Sequence, residues 1–85
     1  MGKYNRAMLT AARIDVLLST LNATDVGSLE SIAEKIVQVE GELRELDQQE
    51  LAERAVATLE ALRRGDVAEF KRGRAFLQSK IGHLR

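Results

Sequence analysis

Residues 29–64 read LESIAEKIVQVEGELRELDQQELAERAVATLEALRR, and the way this stretch divides decides the fold. Leu29, Ile32, Ile36, Val39, Leu43 and Leu46 recur at spacings of 3, 4, 3, 4 and 3, which in an α-helix places all six on one seam. Beyond Leu46 the seam slips. Leu51, Ala52, Ala55, Leu59 and Leu62 form a second stripe, rotated by about 110° from the first at 100° per residue. The slip falls on Asp47-Gln48-Gln49-Glu50. That is the Asp-x-x-Glu pattern of a capping box, in which one side chain caps the new helix and the acid three residues on reaches back. It predicts a break near Asp47 and a new helix from Gln48. The competing reading is one helix from Leu29 to Arg64 with a stutter. Such a rod, about 54 Å long, could be covered only with the help of a second chain.

Downstream, Gly65 suits the left-handed position after a helix end, and Asp66 with Glu69 forms a second capping box. A last helix is expected from Val67 to about His83, packed against its predecessor because the connection is so short. Its apolar face is Val67, Phe70, Leu77, Ile81 and Leu84, with Arg74 in the middle and Phe76 pointing away. Upstream, Ser28, or less favourably Asp25, can cap the seam helix, and Ala23–Gly27 reads as a loop. The first helix is expected from about Asn5 to Leu21. Ala7, Ala11, Ile14, Leu18 and Leu21 line one side, and Leu9, Ala12 and Val16 nearly the opposite side. A helix apolar on two faces needs covering on both. Gly41 falls on the polar side of its helix, where it costs roughly 1 kcal/mol against alanine.

The 85 residues contain no proline and no cysteine, and 45% are apolar against 31% charged. No stretch alternates as a strand does. The expected fold is therefore all-α: one domain over 1–85, a small bundle of about four helices arranged as hairpins. A core of this size is thin, and with neither disulfide nor metal to help, oligomerisation is the common remaining route to stability. The N-terminal run from Ala7 to Leu21 is broken by Arg13 and Asp15, so it reads neither as a signal peptide nor as a membrane span. A cytoplasmic location without membrane contact is expected. Asn22-Ala23-Thr24 then has no meaning as a glycosylation acceptor, and Arg64-Gly65-Asp66 is explained by a helix stop and a cap.

No catalytic, metal or cofactor constellation emerges. His83 is the single histidine and has no second ligand or nucleophile beside it. Glu40, Glu42, Glu45, Asp47 and Glu50 fall on polar helix faces rather than in a cleft with separated pKa values. Phosphate-binding loops and zinc helices are missing. The expectation is a non-enzymatic protein with no cofactor and no small-molecule substrate, associating with copies of itself or with a larger protein. Leu9, Ala12, Val16 and Phe76 are the expected contacts, because off-face apolar and aromatic groups carry interface energy.

Charge is zero overall but uneven. Three basic and nine acidic residues lie in 28–60, and seven basic and two acidic in 61–85. The basic last helix invites three readings: folding back on the carboxylates of the seam helix, pairing between chains, or contact with nucleic acid. In the last case Arg63, Arg64, Lys71, Arg72, Arg74 and Lys80 would face phosphates, as in a helix-turn-helix whose second helix enters the major groove. The near two-residue turn and the acids Asp66 and Glu69 in the first turn weigh against that arrangement.

Overall fold

In the computed structural model, which describes residues 10–84, the seam and the second stripe are two helices. These are α2 (Leu29–Glu45) and α3 (Gln49–Arg63), flanked by α1 (Ala11–Asn22) and α4 (Val67–Gly82). A 3-10 turn, Ala23–Asp25, follows α1. The single long helix over 29–64 is thus excluded. The break sits where the stripe slips, but its chemistry differs from a capping box at Asp47. Asp47 adopts φ 62°, Gln48 N–H donates to Leu43 O (2.8 Å) and Asp47 N–H to Arg44 O (3.1 Å). These bonds are a Schellman motif ending α2, and Gln48 occupies the N-cap of α3 without a side-chain bond. The α3–α4 turn repeats the geometry, with Gly65 at φ 79°, Asp66 N–H bonded to Ala61 O and Gly65 N–H to Leu62 O. Here the expected cap is present, Asp66 Oδ1 accepting from Glu69 N–H at 3.1 Å.

The first helix starts later than the periodicity suggests. Thr10 is extended and its Oγ1 accepts from Arg13 N–H at 3.2 Å, so α1 begins at Ala11; the expected start near Asn5 lies outside the described residues. A threonine hydroxyl competes well for free N–H groups at a helix start. Leu9 lies outside the described residues.

Each helix packs on two others: α2 on α1 and α3, α4 on α3 and α1. The four form a ring with α1 lying in the groove between α2 and α4. Cross-links fix the directions. Arg13, at the start of α1, pairs with Glu45, at the end of α2 (3.6 Å). Gln78 donates to Asn22 Oδ1 (2.8 Å), and Arg74 reaches Asp25 (2.5 Å). Neighbours therefore run antiparallel, and the starts of α2 and α4 share one pole. The fold-back of α4 onto α2 does not occur, because the two lie across the ring from each other, each packed on α1 and α3.

The core is Ile14, Leu17 and Leu21 from α1, Ile36, Val39, Leu43 and Leu46 from the α2 seam, and Phe70, Leu77 and Ile81 from α4. Burying each such side chain is worth about 1.5–3 kcal/mol. In α3 the deepest positions are small, namely Ala52, Ala55, Thr58 and Ala61, with Leu51, Leu59 and Leu62 only partly buried beside them. Small residues let α2 and α4 approach closely from both sides, and Gly73 of α4 meets Thr58 there.

Two glycines should respond oppositely to alanine. A Cβ at Gly41 meets nothing within 4 Å, so Gly41→Ala should gain about 1 kcal/mol from helix propensity. Gly65 holds a left-handed conformation, so Gly65→Ala should lose about 1–2 kcal/mol. Thermal unfolding should show the two midpoints moving to opposite sides of the parent.

Candidate association surface

The residues expected to contact partners do not share one face. Ala12 and Val16 lie exposed on α1. Phe76 faces α3 instead, its ring lying under the Arg54 guanidinium (4.5 Å) and the Lys80 ammonium (5.6 Å). It lines an open groove of about 610 Å3 with Leu51, Ala57 and Leu84. His83 borders this groove, its Nδ1 2.8 Å from Ser79 O. The positive faces over Phe76 are cation–π contacts that already occupy part of its surface.

The six basic candidates are also dispersed. Arg74 is largely enclosed, bound to Asp25 and to Thr24 Oγ1 (3.4 Å) and lying over Phe70. Arg72 donates to Glu69 (2.7 Å), and that bond with the Glu69 charge raises the guanidinium pKa above its ordinary value. Arg64 lies 3.8 Å from Asp66. Arg63 and Lys71 are exposed near the α3–α4 turn, whereas Lys80 sits at the other end of α4. The carboxylates are spread likewise. Glu40 pairs with Arg44, Glu42 accepts from Gln38, and Glu45 pairs with Arg13. Among the described residues no cluster could hold a metal ion, and no helix is long and apolar enough to cross a membrane.

Among the described residues, a different surface carries most of the exposed large apolar groups. Leu29 is 67% exposed, Val67 59% and Val26 75%, all at the pole where α2 and α4 begin. Leu29 and Val67 sit on their helices' core-facing stripes, which led the periodicity to place them inside. Each is the first residue of its helix, after the N-caps Ser28 and Asp66. Helical Cα–Cβ bonds tilt toward the N-terminus, so these side chains lean off the end of the bundle. The helical wheel reports angle around the axis but not position along it; the caps at Ser28 and Asp66 were the available signal.

Below Leu29 and Val67 opens a groove of about 520 Å3, floored by Ile32, Leu62 and Phe70 and rimmed by Lys71. Leu29 and Leu62 also line a neighbouring depression with Ala33 and Arg63, and Ala33 continues it to Val37, which is 46% exposed. The result is one continuous apolar strip. It runs from Phe70 and Val67, past Leu29 and Leu62, to Ala33 and Val37, with Glu30, Glu34 and Arg63 flanking its far end.

No family model, curated protein or solved structure matches the chain.

The strip's chemistry is that of a contact surface. It has aliphatic groups and one aromatic ring continuous with the core, with Lys71 and the paired Asp25 and Arg74 lining one end and Glu30, Glu34 and Arg63 the other. Apolar patches rimmed by polar residues mark places where another surface docks.

Proposed function

We propose that the protein is a non-enzymatic association module that works by covering its Phe70–Leu29–Val37 strip with another protein surface. One observation carries this reading: among the described residues, four of the six exposed large apolar side chains, Val26, Leu29, Val37 and Val67, gather at or beside this strip. Leaving them in water forgoes roughly 25 cal/mol for each Å2 of apolar surface that a partner could remove. Packing a helical surface onto the groove recovers it, and the charged edges set orientation. Nucleic-acid contact has less behind it, since Arg64, Arg72 and Arg74 are engaged by Asp66, Glu69 and Asp25 and Lys80 lies away from the turn cluster.

Photo-crosslinking in the producing cell tests the reading. A photoreactive residue at position 29 or 67 should yield one discrete protein adduct. The same residue at the exposed positions 38 and 53 should yield none. Failure of positions 29 and 67 to form adducts would overturn it.

A further inference from the structure

We infer that the partner covering this strip is a second copy of the same chain, in a two-fold dimer whose axis passes near Leu29 and Leu62. This rests on the reading of the strip as an association surface and names its occupant. The strip is self-complementary in charge. One end is hollow, the groove of about 520 Å3 over Ile32, Leu62 and Phe70, and carries Lys71 at its rim. The other end presents Val37 and Ala33 on the outer side of α2, with Glu30, Glu34 and Arg63 around them, a net negative rim. Beyond Val37, Gly41 has open space around it, so a neighbouring helix can approach the backbone closely.

In a two-fold interface, where residue i of one copy meets residue j of the other, j also meets i. Rotation about the Leu29–Leu62 middle brings the hollow end of each copy onto the Val37 end of the other. Val37 then seats in the groove beneath Val67, and Lys71 of one copy lies toward Glu34 of the other, twice per dimer. A strongly acidic partner would meet Glu30 and Glu34, and a strongly basic one would meet Lys71. A surface carrying the same two signs in reversed order satisfies both edges, and this chain, with 13 basic and 13 acidic residues, supplies one.

Charge reversal with re-pairing tests the inference on the full chain. Sedimentation equilibrium should show the parent as a dimer. Glu34→Lys and Lys71→Glu should each raise the dimer Kd about tenfold, since two attractive pairs become repulsive. An equimolar mixture of the two variants should recover the parent affinity, because each Lys then faces a Glu. The variant effects should shrink at high salt. The inference is overturned if both variants dimerise as tightly as the parent, or if the mixture stays as weak as its components. A parent that is monomeric at concentrations on the order of 100 µM also overturns it. If crosslinks from positions 29 and 67 then lead to a different protein, the association reading stands and only the second-copy assignment falls.

Discussion

Gly73→Ala should destabilise the protein by about 1–2 kcal/mol, although Gly73 lies mid-helix in α4, where alanine is normally preferred. A Cβ built at Gly73 would overlap Thr58 Oγ1 and stand 3.1 Å from Thr58 Cβ and 3.2 Å from its Cγ2. Thr58 cannot swing clear, because it is β-branched and buried, and its hydroxyl donates to Arg54 O at 2.8 Å. Any rotamer keeps a heavy atom toward α4, so the helices must separate and the core between them loosens. Overpacking with so close an overlap belongs to the upper part of the usual range, about 2–3 kcal/mol, against about 1 kcal/mol gained in helix propensity. For a domain of this size the melting midpoint should fall by about 10 °C. Thr58→Ala in the same chain should return most of the loss, giving a coupling energy of about 1–3 kcal/mol in a double-mutant cycle. Additive effects of the two changes would mean that the α3–α4 approach is looser than described.

Leu29→Glu combined with Val67→Glu should abolish association while leaving the monomer folded. Both side chains are mostly exposed within one copy, and both stand at helix N-termini, where the helix dipole favours an acid. The monomer's melting midpoint should therefore stay within about 3 °C of the parent's. In the two-fold dimer each residue occurs twice at the interface. Burial of an aliphatic side chain is worth about 1.5–3 kcal/mol when complete, and even a partial share summed over four sites amounts to at least about a hundredfold in Kd. Sedimentation across a concentration series reads the effect. An unchanged Kd would remove the strip from the interface.

The contrast between these two sites shows what the sequence carries and what it does not. The α2 seam was legible to within one residue because its heptad spacing is long and unbroken, and Ile36, Val39, Leu43 and Leu46 are all buried. The helix break was legible from the slip in the stripe, but its means was not, because Asp47 can either cap a helix or adopt a left-handed conformation. Leu17, fully buried, belonged to neither stripe assigned to the first helix. That helix is also shorter than its periodicity implied, because Thr10 caps it. Thr58 and Gly73 were invisible because a close helix approach depends on which small residues face each other across elements far apart in sequence. Leu29 and Val67 were placed in the core by their angle alone. Their position at the end of the axis, which makes them a surface, follows from the caps that precede them.

In the inferred dimer a second copy of the chain shields the pole formed by Leu29 and Val67. Methyl NMR with a soluble paramagnetic probe measures this directly, residue by residue. At concentrations on the order of 100 µM, the Leu29 and Val67 methyls should be protected from broadening while those of Val16 are strongly broadened. Dilution should strip the protection from the first two. Equal broadening of all three residues at every concentration would contradict the dimer.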